Sequence, residues 1–170
     1  MANSRRHNNL RDLFGHVLDD VCHNVRCEPP LAPVSQDAPN ERSRLDVSAT
    51  GFWRYGQDAF FDIRVFNPLA ASNDKKPEAV YVSHVNEKIR KYGQRVIDVE
   101  HGSFTPLVFS ANGCCSKLAT SFIKQLLTLI SEKRDVPTPK TTAWLRTKIC
   151  FNLLRSVLLC VRGSRGYSHK

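Results

Sequence analysis

The chain of 170 residues lacks several features that would each place it in a particular class. No run reaches the ~18 to 20 apolar residues of a membrane span, and the N-terminus "MANSRRHNNLRD" has no apolar centre of the kind a secretory signal needs. The sequence also lacks an N-x-S/T acceptor site and any paired C-x-x-C spacing among Cys22, Cys27, Cys114, Cys115, Cys150 and Cys160. These absences argue against secretion and against a membrane partner. They predict an intracellular protein, nuclear or cytoplasmic, whose cysteines are mostly reduced thiols, several of them buried. No Gly-rich phosphate loop follows a strand, which excludes the common nucleotide-binding fingerprints. Acidic residues are missing altogether from Val136 to Lys170, whereas Lys140, Arg146, Lys148, Arg155, Arg162, Arg165 and Lys170 lie there. Much of the net charge of +9 is therefore concentrated at one end, where it makes a local potential attractive to polyanions such as nucleic acid. A purely solubilising role is the simpler alternative.

What is present reads as one mixed α/β domain spanning 1–170. Leu10, Leu13, Phe14, Val17, Leu18 and Val21 recur at helical spacing, predicting an amphipathic helix over about 6–24. "NVRCE" is a candidate short strand, and 29–43 is a polar loop punctuated by Pro29, Pro30, Pro33 and Pro39, the stretch most suited to disorder. Two alternating apolar runs from Arg44 to Val65 then predict a β-hairpin. A second helix carries Val82, Val85, Ile89 and Tyr92, with Lys88, Arg90 and Lys91 interleaved. "RVIDVE" and "TPLVFS" read as strands, Gly113 as a turn, and two further helices follow, the last over about Thr141 to Arg162.

The hairpin holds the chemistry. Side chains alternate along a strand, so Asp46 and Ser48 oppose Leu45 and Val47, and Asp62 and Arg64 oppose Phe61 and Ile63. A turn centred on Arg54 places Asp46 directly across from Asp62, with Cβ atoms roughly 4.5 to 5.5 Å apart. Like charges so placed are destabilising and require a cation, a retained proton or a metal. Two readings stay open. Either Arg64 pairs with both acids on a solvated face, or the acids hold a hard divalent cation such as Mg²⁺, which binds oxygen ligands and phosphate oxygens. Phe52, Trp53 and Tyr55 lie near the hairpin tip beside Arg54, placed either to stack on unpaired bases or to pack on the second helix. His7, His23 and His101 are further candidates on chemical grounds, although none has a zinc-pair spacing, and a structural role is the plainer expectation for each.

The segments "RHNNLRD", "EPPL", "RLDV", "GFW", "AFFDIRV", "VEHGSFTPLVFS", "WLRTKICFNLLRS" and "RGSR", in order over residues 5–165, resemble the C-terminal segment of reverse-transcriptase-bearing transposable-element proteins of animals. The layout is also similar to the restriction-endonuclease-like, PD-(D/E)xK class: a helix, a strand, a hairpin carrying an acid and an acid-x-lysine, and a further helix and strand. That resemblance implies a mixed sheet with a central antiparallel hairpin flanked by helices, and a metal-dependent DNA endonuclease. Asp46 and Asp62 would hold Mg²⁺ or Mn²⁺. Arg64 stands where the class has lysine, and a guanidinium cannot accept a proton from water although it can stabilise anionic charge. Lys88 and Lys91 are the candidate replacements. Asn9 stands where a first-helix glutamate is often found, with Glu28 or Glu100 as substitutes. Arg54, Arg146, Lys148, Arg155, Arg162 and Arg165 would contact DNA, or RNA or an RNA–DNA hybrid, with a reverse transcriptase as a partner in trans. The alternative on the same fold is a catalytically inactive nucleic-acid-binding domain, and a third reading is a relic frame without selected activity.

Overall fold

The computed structural model describes residues 2–32, 44–68 and 76–163, with side chains from Arg6 to Leu154 within those ranges. Helix α1 (Ala2–Val21) leads to β1 (His23–Cys27), β2 (Val47–Thr50) and β3 (Asp58–Phe66). Helix α2 (Pro77–Lys88) passes through a π-turn (Ile89–Gly93) into α3 (Gln94–Val99). Strand β4 (Ser103–Ser110), α4 (Lys117–Arg134) and α5 (Thr138–Gly163) complete the order. The sheet order is β1-β2-β3-β4, with the first three strands antiparallel and β4 parallel to β3.

The sheet is mixed and covered on both faces, as the resemblance implied for a hairpin flanked by helices. Val47, Ala49, Phe61, Ile63, Leu107 and Phe109 point toward α1, α4 and α5 and form the larger core with Leu10, Phe14, Leu18, Phe122, Leu126 and Leu145. Its centre is aromatic. Phe122 stacks on Phe52 with ring centroids 4.9 Å apart and meets Phe14 and Phe61 edge-on at 5.2 and 4.9 Å, arrangements that add to simple area burial. On the opposite face, Phe60 and Leu45 pack with Leu31, Tyr92 and Val96, while Phe66 and Val108 pack with Val80.

One expected strand is a helix. "RVIDVE" continues the second helix as α3, with Val96 fully buried and Ile97 57% exposed. Tyr92 and Val96, four residues apart, present one face to the sheet, so helical spacing outweighs a short alternation that fits either period. The reading of several buried cysteines is also corrected. Of the described thiols only Cys22 is buried, and Cys27, Cys114 and Cys150 are exposed, with no disulfide among the described residues; Cys160 lies outside the described side chains. Burial pushes the Cys22 thiol up to about 11, so it stays protonated and acts as a packing residue. Pro29–Ala32 of the proline-rich loop are described, Pro30 bridging Arg44; 33–43 lie outside the described residues. No described helix is long and apolar enough to cross a membrane.

Helix α5 begins at the C-terminal end of α1. Arg134 pairs with Asp20 at 2.6 Å and lies over the Trp144 ring at 5.2 Å. Leu145, Ile149 and Leu153 then pack into the core along α1, so α5 runs antiparallel to α1 and carries its C-terminal half toward the start of that helix.

Because Phe122 touches three other rings at the centre of the core, Phe122→Ala is expected to cost about 3 to 5 kcal/mol. Urea unfolding followed by far-UV circular dichroism measures this, and a loss below about 1 kcal/mol would show that the core is not packed as described.

Candidate functional site

The observed register pairs Val47 with Phe61 and Ser48 with Phe60, so its continuation sets Asp46 opposite Asp62. Asp46 lies one residue before β2, yet its backbone remains paired on both sides. Its N–H donates to the Phe61 carbonyl at 3.0 Å, and its carbonyl accepts from the Glu28 N–H at 2.8 Å. Its side chain folds over the neighbouring strand: Asp46 Oδ2 accepts from the Ile63 N–H at 2.5 Å and meets His7 Nε2 at 2.9 Å. Asp62 is 5% exposed in the middle of β3, and its Oδ2 lies 2.7 Å from Lys88 Nζ at the end of α2. That oxygen is shielded from solvent and makes no hydrogen bond of good geometry, so the Lys88 contact is chiefly Coulombic.

The acid pair is thus met by Lys88 on Asp62 and by the His7 ring on Asp46, and Arg64 is neither partner. Arg64 Nη1 bonds Glu87 Oε2 at 2.9 Å, which corrects the expectation that Arg64 pairs with both aspartates. Arg64 is two residues beyond Asp62 on the same face, and its 34% exposed side chain reaches the solvent-side helix surface, where Glu87 sits. Lys88, one residue further along α2, turns toward the strand. Of the two proposed lysines, Lys88 meets Asp62, whereas Lys91 lies over the Tyr92 ring at 4.9 Å.

His7 is the residue the sequence patterns underrated. It stands on the first helix, two residues before Asn9, where an acid was sought. Its Nδ1 faces Asn8 Oδ1 at 3.2 Å while Nε2 faces Asp46, so both ring nitrogens meet acceptors, an arrangement that only the doubly protonated ring satisfies fully. The hydrogen bond to Asp46 raises His7 above its ordinary value, against the opposing effect of burial. Asp62 is also raised, chiefly by burial; the Lys88 charge opposes this and the Asp46 charge adds to it.

The other candidates are dispersed. Glu28 pairs with Arg11 and, at 3.7 Å, with Arg44; it adjoins Asp46 through the backbone only. Glu100 accepts from the Ala32 N–H at 2.8 Å, near the other end of β3. His23 begins β1, and His101 is exposed before β4. Arg54 and Tyr55 are exposed on the β2–β3 turn, Trp53 donates to Thr105 Oγ1 at 3.2 Å, and Phe52 is buried. Arg146 and Lys148 are exposed on α5; Arg155 and Arg162 belong to that helix but their side chains lie outside the described residues, as does all of Arg165. Among the described residues no group of three or more His, Cys, Asp or Glu side chains gathers to hold a metal. No family model and no curated protein matches the chain.

The raised folded value of His7 sets a pH dependence near neutrality. His7 contributes stability that is fully present below its unfolded value of 6.5 and is lost as pH rises through its higher folded value. In metal-free buffer the melting temperature is expected to fall across the neutral range, and His7→Gln is expected to flatten that fall; equal slopes for the two proteins would refute the role given to the His7–Asp46 contact. Lys88→Met leaves Asp62 buried without its cation and is expected to cost about 3 kcal/mol or more near neutral pH. Adding Asp62→Asn is expected to recover much of that loss, measured as a double-mutant cycle.

Proposed function

We propose that this domain is a metal-dependent DNA endonuclease with a restriction-endonuclease-like core, derived from a retroelement reverse-transcriptase protein. The observation that carries the reading is the convergence of Asp46, Asp62 and Lys88 from two strands and a helix, with Lys88 Nζ 2.7 Å from the buried Asp62. The order of helix, three antiparallel strands, helix and a strand parallel to the third supports it, being the layout of that class.

The donors suit Mg²⁺ or Mn²⁺ in kind: two carboxylates from adjoining strands offer only oxygen, and an ion bound there would take Asp62 Oδ2 from Lys88 Nζ, which holds it at 2.7 Å. When bound, such an ion would supply charge for a phosphodiester oxygen and a more acidic water. The chain's own residues do the rest. Asp46 is held in place by the Ile63 N–H and His7, which fixes the direction of its carboxylate. Lys88 approaches Asp62 from the helix and is the group placed to hold the attacking water or a phosphate oxygen, in the role the class gives to its strand lysine. Arg64 faces the outer side of this cluster with Glu87 and supplies a second positive charge near an incoming backbone. Helix α5 carries the acid-free basic segment toward the beginning of α1, the end on which His7 lies. DNA is the favoured polymer, and a reverse transcriptase acting in trans is the natural partner.

A specific feature favours the second reading, a catalytically inactive nucleic-acid-binding domain. Lys88 and His7 already engage both acids directly. Incubation with supercoiled plasmid and Mg²⁺ or Mn²⁺ separates the two. An endonuclease nicks the plasmid, loses nicking to background with EDTA, Asp46→Asn or Asp62→Asn, and drops about a hundredfold or more with Lys88→Gln. Binding without nicking, unchanged in the asparagine variants, would select the inactive domain. In either case affinity should fall with salt at a slope of about −0.9 per phosphate contacted, and a flat response would remove nucleic acid altogether.

A further inference from the structure

At the end of β3 remote from Arg64, an open cavity of about 460 Å³ lies between the β2–β3 turn and the α3–β4 junction, lined by Arg54, Tyr55, Gln57, Asp58, Glu100 and His101 among others. Its volume falls within the range of small-molecule sites. None of these residues takes part in the Asp46–Asp62 cluster. Their chemistry is that of a base-reading site.

Tyr55 is fully exposed, so packing does not account for it. The backbone that carries it is nevertheless closed into a turn. The Gln57 N–H donates to the Arg54 carbonyl at 3.2 Å, closing a four-residue turn with Tyr55 and Gly56 at its centre, and Gly56 has φ +72, the left-handed value that a type II turn requires at its third residue. A Tyr ring displayed on a closed turn, next in sequence to an arginine that lines the same cavity, suits stacking on an unpaired base. The two carboxylates are also anchored. Asp58 Oδ1 accepts from Thr50 Oγ1 at 2.5 Å, and Glu100 Oε1 accepts from the Ala32 N–H at 2.8 Å. A carboxylate has about four lone-pair sites, so each retains capacity for a further donor. Fixed carboxylate acceptors beside an aromatic face select bases that carry an exocyclic amino group, such as the N4 amine of cytosine.

We propose that this groove binds one unpaired, amino-bearing base of a nucleic-acid strand, stacked on Tyr55 and read by Asp58 and Glu100, with Arg54 on the adjoining phosphate. The inference rests on the reading of the domain as nucleic-acid-binding and adds that its substrate carries an unpaired nucleotide. Asp58 shares a strand face with Asp62 and stands four residues from it, or about 13 Å at the rise of a β-strand, with the buried Phe60 between them.

Fluorescent oligo-dC, oligo-dA and oligo-dT single strands and a matched duplex are titrated with the full chain in EDTA, so that no cutting intervenes. Oligo-dC and oligo-dA are expected to bind more tightly than oligo-dT and the duplex. Tyr55→Ala, a fully exposed position that leaves the core intact, should weaken single-strand binding about fivefold to a hundredfold. Glu100→Gln should erode the preference for oligo-dC over oligo-dT. Equal affinity of the wild type and Tyr55→Ala, or equal affinity for single strand and duplex, would overturn the proposal. Plasmid nicking is measured on the same proteins. Tyr55-dependent binding with no nicking in any of them upholds the groove and removes the endonuclease; nicking with no Tyr55 effect on binding does the reverse.

Discussion

Strand β3 is buried on both faces, and the other elements are arranged by that constraint. It pairs with β2 on one side and β4 on the other, so its backbone is satisfied within the sheet. Its odd-numbered residues enter the aromatic core around Phe122, and its even-numbered residues face α2, the π-turn and α3. An aspartate in the middle of such a strand cannot reach water by a change of rotamer. Asp62 therefore depends on what the covering helix provides, which is Lys88.

A buried ion pair is a costly way to fill that position. Apolar residues of similar volume often replace such pairs with no loss, or a gain, in stability. Here the pair is accompanied by a second acid across the register and a histidine on that acid, a concentration of ionisable groups that the folding of the sheet does not need. That concentration is the physical ground on which the proposed chemistry rests.

The hairpin was legible because its pairing follows from one sum: with the turn centred on Arg54, Asp46 must oppose Asp62, and the observed register agrees. The long amphipathic helices α1, α4 and α5 were legible from apolar spacing over many turns. The partners of the acids were not. His7 is 39 residues from Asp46 in sequence, and no local pattern reports a contact closed by the packing of a helix N-terminus against a strand end. Arg64, Lys88 and Lys91 were equivalent as cations on paper; the choice among them follows from the rotation of α2 over the sheet, which sets Glu87 beside Arg64 and Lys88 above Asp62. The α3 segment was misread for a related reason. Its six residues are too few to separate periods of 2 and 3.6, and its place is decided by Tyr92 in the preceding turn.

The π-turn between α2 and α3 gives this arrangement a property that neither helix has alone. A single extra residue in a helical turn shifts everything after it by about 100° relative to what precedes it. The segment holding Lys88 and the segment holding Val96 are therefore indexed separately over one sheet face, the first above Asp62 and the second above Phe60. A uniform α-helix would couple these two demands, so that improving one contact would rotate the other out of place. The π-turn acts as a phase adjuster, allowing the charged end of the helix and its apolar end to be tuned separately over one continuous rod.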